Sequence, residues 1–369
     1  MKVIQLLPEL NSGGVERGTL EIAKALVQQG HQSVVISNGG RMVKQLGAEG
    51  SQHITLPIHR KSLASLWQIR PLRRILREQH ADLIHVRSRV PAWLTHFARC
   101  GMPVAQRPRL VSTVHGFYSV NRYSQIMTSG ERVIAVSDSV VDYIHTHYPH
   151  CPPDRIVRIY RGIDPNAFPH GYRPPAAWWQ CVYAAYPELE HKTWLTLAGR
   201  ITRLKGHDTL IRLANSLLQH IPDLHIVIVG GADPKKQAYL DELSQLVQHL
   251  GLQAYVTFVG HRQDMREWLA ASQLVLSLST QAETFGRIVL EALAVGTAVI
   301  GWERGGVAEI LSKLYPIGLV PAEATEQLQQ RIQQLLQHPV RPDPVYDFTL
   351  AQMTTQEIQL YQQLISSFR

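Results

Sequence analysis

Short apolar runs alternate with amphipathic stretches of helical period along most of the chain. This alternation is typical of βα repeats, in which each buried strand of a parallel sheet is followed by a helix. Residues 15–29 and 208–221 predict helices, because their apolar side chains recur at helical spacing. The runs that predict strands are residues 3–7, 33–37, 83–86, 110–114 and 132–136 in the first half, and 194–198, 224–229, 256–259, 274–278 and 298–301 in the second.

A proline-rich segment at 165–180 separates the two series of repeats. The length of 369 residues also exceeds the roughly 250–300 at which a single core stops growing. We therefore predict two α/β domains, residues 1–172 and residues 173–349. The chain from residue 324 onward is polar and rich in glutamine, and its pattern predicts two helical segments separated by prolines at 339, 342 and 344.

Glycine pairs follow two of the predicted strands. Ligands of open α/β sheets bind beyond the carboxyl ends of the strands, so residues at these positions are candidates for a site. Gly13 and Gly14 precede a predicted helix, whose N-terminal N–H groups attract anions. Gly230 and Gly231 would allow close approach of a base or ribose. A purely structural turn explains either pair as well, since glycine is permissive.

Charged and ionisable residues follow other strands. Arg200 and Lys205 lie between a strand and the next helix, where two cations could clamp a diphosphate and stabilise charge on a departing nucleotide. A solvated loop is the alternative. His115 follows the strand at 110–114. With 18 histidines in the chain, a structural role is the commoner explanation for any one of them.

The segment ETFGRIVLEA at 283–292 is the most informative one. Glu283 would lie in the loop before a helix, and Glu291 lies inside that helix among apolar residues, where a carboxylate usually needs a partner. One carboxylate could meet a sugar hydroxyl and the other a ribose diol. The backbone N–H groups of Phe285 and Gly286 are expected to point to the same ligand.

Several functional classes lack their sequence signatures. Neither GxGxxG nor GxxxxGK[ST] occurs, so NAD-binding and P-loop functions are not indicated. DxD and HExxH motifs and tight His/Cys clusters are also absent, so we expect no divalent metal and no cofactor. Three widely spaced cysteines fit a reducing cytoplasm. The net charge of +8 indicates an anionic partner, which could be nucleic acid, an acidic membrane or a phosphorylated substrate.

The chain also contains a set of short segments in a fixed order: GGVER, STVHG, RVIAVSDSV and RGID, then GRITRLKG, VIVGG, ETFGRIVLEA and GGVAEIL. In combination they resemble the retaining GT-B glycosyltransferases of glycosyltransferase family 4, over essentially the full length. The resemblance implies two Rossmann-like domains with a central cleft. It also implies a C-terminal helix, residues 350–369, that crosses back to complete the first domain.

The same resemblance implies roles for the candidate residues. Arg200 and Lys205 would grip the diphosphate, Glu291 the ribose, and Glu283 with the Phe285–Gly286 backbone the sugar. The Gly13–Gly14 loop would lie near the phosphates and His115 near the transferred sugar. The anomeric configuration would be retained, with the leaving phosphate accepting the acceptor's proton. The donor would be a nucleotide sugar, and both GDP- and UDP-linked sugars stay open.

Two features point to the acceptor. HVRSRVPAW at 85–93 and HGFYS at 115–119 resemble enzymes that build bacterial lipopolysaccharide cores, so Arg87 and Arg89 are expected to face the cleft and bind an anionic lipid-linked glycan. Residues 60–77 combine six cations with leucines, isoleucines and Trp67, which predicts a basic amphipathic helix for the cytoplasmic face of the inner membrane. An ordinary Rossmann helix with one apolar face is the alternative.

Other functions remain open at this stage. A GT-B epimerase would act on a nucleotide sugar without an acceptor, and a phosphorylase would need a lysine-bound pyridoxal cofactor. A non-catalytic basic binding protein is a third possibility. A nucleic-acid partner is not expected, because no aromatic stacking platform or known binding module is recognised.

Overall fold

The computed structural model describes residues 1–11, 13–232 and 237–367. The chain divides into two compact units, Met1–Gly162 together with the chain from Leu350 onward, and Ile163–Thr349. The division precedes the predicted boundary after residue 172, because the proline-rich segment packs into the second unit. There Gly171 N–H donates to the carbonyl of Val295, and the Tyr172 hydroxyl donates to Glu267.

The first unit contains a seven-stranded sheet of order β3-β2-β1-β4-β5-β6-β7. All its neighbouring strands are parallel, which confirms the predicted sheet type. The strand order reverses direction between the adjacent strands β1 and β4, which makes this point a topological switch. The strands are β1 Lys2–Leu6, β2 Gln32–Ser37, β3 Gln52–Thr55, β4 Leu83–Val86, β5 Arg109–Val114, β6 Arg132–Ala135 and β7 Ile156–Arg158.

The helices of this first part of the chain cover both faces of the sheet's buried strands. They bury leucine, isoleucine and valine side chains against it, as the helical spacing predicts. They are α1 Gly14–Gln28, α2 Val43–Ala48, α3 Ile69–Gln79, α4 Arg89–Cys100 and α5 Asp138–His147.

The second unit contains a six-stranded parallel sheet of order β10-β9-β8-β11-β12-β13, with its switch point between β8 and β11. Its strands are β8 Thr193–Ala198, β9 Leu224–Val229, β10 Val256–Gly260, β11 Leu274–Ser277, β12 Ala298–Trp302 and β13 Leu319–Val320. Its helices are α6 Ala176–Ala185, α7 His207–Leu218, α8 Gln237–His249, α9 Met265–Ala271, α10 Arg287–Val295, α11 Gly305–Leu314 and α12 Thr325–Gln337.

The last helix, α13 Leu350–Ser366, packs against the first unit. Met353, Ile358 and Tyr361 are buried in one apolar cluster with Val3 of β1 and Leu83 of β4. The first sheet is therefore covered partly by residues that lie far away in the sequence.

The basic segment 60–77 is not one helix as predicted. A 3₁₀ helix, Leu63–Gln68, precedes α3. Leu72 of α3 is fully buried in the core, whereas Leu63 is 85% and Trp67 77% exposed. Apolar side chains of α3 such as Leu72 therefore pack into the core, whereas Leu63 and Trp67 of the 3₁₀ helix face solvent. Among the described residues, no helix is long and apolar enough to cross a membrane.

Candidate functional site

The switch point of the second unit brings Lys205 and Glu283 into direct contact. Lys205 Nζ lies 2.7 Å from Oε1 of Glu283, and the hydroxyl of Ser279 donates to the same oxygen. Both carboxylate and ammonium are about three-quarters buried. They line a small pocket that also includes Gly286. Lys205, predicted to bind phosphate, and Glu283, predicted to bind the sugar, therefore form one charged cluster. Its third member, Ser279, was not predicted from the sequence.

A close backbone approach sets the position of Lys205. The lysine ends a 3₁₀ turn, and the next residue, Gly206, has φ +72°. A Cβ at Gly206 would lie only 2.2 Å from the carbonyl oxygen of Leu278, so no other residue fits without a shift. Thr280 N–H also donates to the carbonyl of Leu204 at 2.9 Å. The loop after β8 is thus held against the loop after β11.

The loop that carries Glu283 is fixed from the other side by the N-terminus of α11. Gly306 N–H donates to the carbonyl of Glu283 at 2.8 Å. A Cβ at Gly306 would lie 2.4 Å from Cα of Phe285, so only glycine allows this approach. Phe285 itself is buried, and Gly286, with φ +89°, directly precedes α10. The predicted sugar-binding backbone therefore lies in a rigid junction between two helix N-termini.

Glu291 is almost fully buried in α10, at 3% exposure. Its Oε1 accepts from Nε of Arg287 at 3.1 Å, one helical turn earlier. A buried carboxylate needs such a partner, and Arg287 supplies positive charge that the sequence analysis did not assign.

Arg200 and the second glycine pair lie at the ends of β8 and β9. Arg200 is exposed. Gly230 has a packing reason for its identity, because a Cβ there would lie 1.8 Å from the carbonyl oxygen of Gly199. Gly231 accepts a hydrogen bond from Ile201 N–H at 3.1 Å. The structural explanation for these glycines therefore has direct support, and a role in ligand binding stays a prediction.

The first unit's glycine pair lies at the start of α1. Gly13 precedes the helix with φ +145°, and Gly14 is its first residue. A Cβ at Gly14 would meet nothing within 4 Å, whereas one at Gly13 would lie 2.5 Å from Oε2 of Glu16, so a carboxylate of the helix's own first turn lies beside this glycine pair. The preceding residue of the motif, Ser12, lies outside the described residues.

Arg87 is placed differently from the prediction. Its side chain has no exposed surface, and its Nη2 lies 2.6 Å from Oε1 of Glu357 in α13. Its Nε donates to Gln5 at 2.8 Å. The expectation of a cleft-facing Arg87 is corrected, because a carboxylate from the C-terminal helix draws this cation into the core.

Arg89, the first residue of α4, is half-buried. Its guanidinium lies over the ring of Tyr118 at 4.8 Å from the centroid and donates to Ser124 at 3.2 Å. Arg89 thus keeps part of its surface available, and Arg87 does not.

His115 follows β5 as predicted, and Arg161 contacts it. Nη2 of Arg161 donates to Nδ1 of His115 at 2.6 Å. Burial and the charge of Arg161 lower the pKa of His115 well below its usual range. The motif RGID had drawn attention to residue 161, although no role was assigned to it.

The described residues contain no group of three or more His, Cys, Asp or Glu side chains arranged to hold a metal ion. Of the two cations predicted to bind a diphosphate, Arg200 is exposed and Lys205 is paired with Glu283. The two units each present their candidate residues at the carboxyl ends of a parallel sheet.

Two family matches cover most of the chain. Residues 12–167 match Glycosyltransferase Family 4, and residues 185–346 match Glycosyl transferases group 1. The chain belongs to the GT-B glycosyltransferases. This confirms the resemblance to glycosyltransferase family 4 and the two Rossmann-like domains, whereas retention of configuration stays a prediction.

Curated relatives of this glycosyltransferase include D-inositol 3-phosphate glycosyltransferase 1 of Catenulispora acidiphila. The two are 32% identical over 191 residues, which is 50% of this chain and 44% of that protein. The chain thus spans about half the length of the curated relatives it matches.

Solved structures match over the whole chain. A glycosyltransferase from Rickettsia africae is 28% identical with a TM-score of 0.84, over 99% of this chain and 98% of that one. Anabaena Alr3699/HepE, solved with UDP-glucose, is 21% identical with a TM-score of 0.76, over 100% and 99%. WaaG, a glycosyltransferase involved in lipopolysaccharide biosynthesis, is 18% identical with a TM-score of 0.67, over 99% and 96%. The last two show likeness of fold alone.

Proposed function

We propose that this glycosyltransferase moves a hexose from a nucleotide-diphosphate sugar to an anionic, lipid-linked glycan such as a lipopolysaccharide core. Retention of configuration and independence from divalent metal are part of the proposal. The cluster of Lys205, Glu283 and Ser279 at the switch point of the second unit carries it, because this is where a parallel sheet of this type binds ligands.

The chemistry of that cluster suits a sugar diphosphate. Lys205 supplies a compact cation for phosphate oxygens, and Arg200 supplies a planar one from the end of β8. Glu283 supplies an acceptor for a sugar hydroxyl, and Glu291 in α10 supplies one for the ribose. Lys205 and Glu283 neutralise each other without ligand. When a donor binds, Lys205 would exchange its contact with Glu283 for one with a phosphate oxygen, and Glu283 would accept from a sugar hydroxyl. Neither charged side chain would then be left without a partner.

The two cations would also stabilise the negative charge that develops on the leaving nucleoside diphosphate. A phosphate oxygen of that leaving group would take the proton from the acceptor hydroxyl, on the face from which the diphosphate departs. The new glycosidic bond then forms on the same face, and the configuration is retained. The Gly13–Gly14 backbone at the start of α1 would add donors near the phosphates.

Binding of UDP and GDP to the full chain, measured by calorimetry, tests the donor site. We expect one of them to bind, and Lys205→Ala to weaken binding about 10- to 100-fold, as for other hydrogen bonds to charged groups. Lys313→Ala is the matched control, since this exposed lysine pairs with Asp347 and not with Glu283. Absence of binding by either nucleotide at millimolar concentration contradicts the proposal.

Turnover distinguishes transfer from isomerisation. With a UDP- or GDP-hexose, release of nucleoside diphosphate should depend on an added glycan acceptor, and NMR coupling constants of the product should show the donor's anomeric configuration. Activity should survive EDTA. An altered nucleotide sugar formed without acceptor would instead favour an epimerase.

The exposed 3₁₀ helix is the part of the chain best suited to a membrane surface. Leu63 and Leu66 lie three residues apart, which places them on one side of a 3₁₀ helix, and Trp67 follows directly. We propose that this apolar edge enters the interface of an anionic membrane. The exposed cations Arg60, Lys61, Arg70 and Arg74 would add about 1 kcal/mol each near such a surface.

Flotation with vesicles of equal parts phosphatidylcholine and phosphatidylglycerol tests this surface. The full chain should float with them at low salt, and Leu63→Ser/Trp67→Ser should stay at the bottom. Val104→Ser is the matched control, because Val104 is 78% exposed in the same unit. Binding that the double variant leaves unchanged would rule this surface out.

A further inference from the structure

Two cations of the first unit share one tyrosine ring. Nζ of Lys61 lies 4.4 Å from the centre of the Tyr123 ring, and Cζ of Arg89 lies 5.4 Å from the same centre. From the sequence, Arg89 was expected to bind an anion, whereas Lys61 counted only among the cations of segment 60–77. The structure therefore adds a second cation beside Arg89.

These side chains come from three loops at the carboxyl edge of the first sheet. Lys61 follows β3, Arg89 begins α4 after β4, and Tyr123 lies on the segment after β5. The carboxyl ends of parallel strands lie at one edge of a sheet, and ligands of open α/β sheets bind there. The two cations therefore lie on the side of the sheet at which a substrate is expected.

The ring that the cations share is held in place by hydrogen bonds. Nε1 of Trp93 in α4 donates to the backbone carbonyl of Tyr123 at 2.9 Å. The next residue, Ser124, is fully buried, and its hydroxyl accepts from Nη1 of Arg89 at 3.2 Å. The ring and the guanidinium are thus positioned before any ligand arrives, which reduces the entropy that binding would cost.

No carboxylate neutralises the two cations. The stretches 50–77 and 83–130, which supply all of these side chains, contain no Asp or Glu. In the part of the chain that the structure describes, neither Lys61 nor Arg89 forms a salt bridge. An aromatic ring attracts a cation but carries no net charge, so Tyr123 orients both cations and leaves their charge available. Two like charges beside one ring repel each other, and an anion bound by both would remove that repulsion.

The two donors suit an oxyanion carried by a sugar that is reached from solvent. A guanidinium matches the paired oxygens of a carboxylate or phosphate, and an ammonium adds a compact charge. Arg89 is half-buried and Lys61 is exposed. Lys61 also lies two residues before Leu63 of the exposed 3₁₀ helix. A glycan attached to a membrane lipid beside that helix would bring its anionic group close to these cations.

We propose that Lys61 and Arg89, oriented by Tyr123, bind the carboxylate or phosphate of an anionic sugar in the acceptor. The role of that sugar as acceptor rests on the proposed function, whereas binding of the anion needs no donor. Tyr123 is a positioning residue, because it acts through the two cations.

Trp93 provides a local probe for this site. Its indole N–H bonds to the carbonyl of Tyr123, so its ¹H–¹⁵N NMR signal in the full chain should respond to binding beside that ring. Trp93→Phe identifies the signal among those of the seven tryptophans. Glucuronate and glucose 6-phosphate should shift it in a saturable manner at millimolar concentration, and neutral glucose should not.

Substitutions separate the paired cations from general surface charge. Lys61→Gln and Arg89→Gln should each weaken binding of both sugar anions about tenfold, as for other hydrogen bonds to charged groups. Tyr123→Leu keeps both cations but should also weaken binding, whereas Tyr123→Phe retains the ring and should bind as the unsubstituted chain does. Lys44→Gln in α2 is the matched control, since it removes one exposed positive charge of the same unit and should change nothing.

Turnover and flotation separate an acceptor from a lipid headgroup. With a glycan acceptor that supports turnover, Arg89→Gln should raise the KM for that acceptor about tenfold and leave kcat and the KM for the donor unchanged. The same variant should float with phosphatidylglycerol vesicles as the unsubstituted chain does. Loss of flotation with an unchanged acceptor KM would assign the cations to a lipid headgroup and overturn the proposal.

An unshifted Trp93 signal with both sugar anions also overturns the proposal, even if every variant fails to fold. Equal affinities in Arg89→Gln and Lys44→Gln have the same consequence. Failure of the chain to bind UDP and GDP would instead contradict the proposed donor site alone, because the NMR titrations contain no nucleotide.

Discussion

Replacing Glu357 by glutamine should loosen the C-terminal helix α13 from the first unit. Glu357 has no exposed surface and accepts from Arg87 at 2.6 Å and from the Tyr361 hydroxyl at 2.5 Å. Burial by itself would raise the pKa of this carboxyl, but Arg87 and the hydrogen bond with His85 hold the pKa well below its usual range. Glutamine keeps the shape and removes the charge, which leaves the Arg87 cation buried.

The expected loss of folding stability follows from the buried Arg87 cation, which no longer has a charged partner. Removing one partner of a buried ion pair typically costs about 3–5 kcal/mol. Glutamine can still accept hydrogen bonds through its amide oxygen, so we expect about 3 kcal/mol, at the low end of that range. A solvent-exposed pair such as Arg74–Glu78 is worth about 0.5 kcal/mol or less, which makes Glu78→Gln the matched control.

Removing both charges should cost much less than removing one. Arg87 Nη1 and Glu357 Oε2 are buried and have no hydrogen-bond partner among the described residues, so the pair does not fully recover its cost of desolvation. We expect Arg87→Met/Glu357→Leu to be within about 1 kcal/mol of the unsubstituted chain. The double variant would then cost much less than the sum of the single variants Arg87→Met and Glu357→Leu, which is a large coupling energy in the double-mutant cycle.

Hydrogen exchange measured by mass spectrometry suits this prediction better than fluorescence, since most of the tryptophans lie in the second unit. Peptides from α13 should exchange about 100-fold faster in Glu357→Gln, because each 1.4 kcal/mol corresponds to a factor of ten. Unchanged exchange in α13 would refute the reasoning, as would a double variant less stable than the single one.

Further predictions follow from glycine positions and buried histidines. Gly14→Ala should leave the melting temperature unchanged, because the space is open, yet lower kcat/KM if a phosphate approaches this backbone. Gly206→Ala should lower both stability and UDP or GDP affinity, since its Cβ would collide with Leu278, as thermal melts and calorimetry can show. Burial lowers the pKa of His207 and of His225 to about 4. Because the histidines of the unfolded chain take up protons near pH 6.5, the free energy of unfolding measured in urea should be highest above that pH and fall between pH 6.5 and 4. In His207→Leu this fall with decreasing pH should be less steep, since one of the two histidines is gone.

The sequence predicted the interior of each sheet and missed three of the four edge strands, because only the edge strand β10 carries a recognisable apolar run, at 256–259. Apolar runs identified the central strands closely, with β4 and β9 matching at both ends. Three strands were missed, β3, β7 and β13, and each lies at the edge of its sheet. Edge strands are short and half-exposed, so they lack the continuous apolar run that reveals a buried strand.

Residues of the candidate site were predictable where a single side chain at a strand end indicates a function by itself. Contacts between residues that are distant in the sequence were not predictable. Lys205 and Glu283 were found as strand-end charges, but their ion pair joins residues whose strands become neighbours only in the folded sheet. Arg87 was expected to face the cleft, because arginine side chains are rarely fully buried. Its partner Glu357 lies in a glutamine-rich helix, whose composition predicts exposure to solvent. The sequence does indicate that Glu357 and Tyr361 share one face of this helix, because they lie four residues apart.

The return of α13 to the first unit also affects the order in which the chain can fold during synthesis. The second unit is continuous in sequence, so it can fold as soon as Thr349 has left the ribosome. The first unit cannot complete its core until Ile358 and Tyr361 reach Val3 and Leu83. The domain that is synthesised first is therefore finished last, which reverses the usual N-terminal-first order. One face of its sheet stays only partly covered, by α1, until the whole of the second domain has been translated.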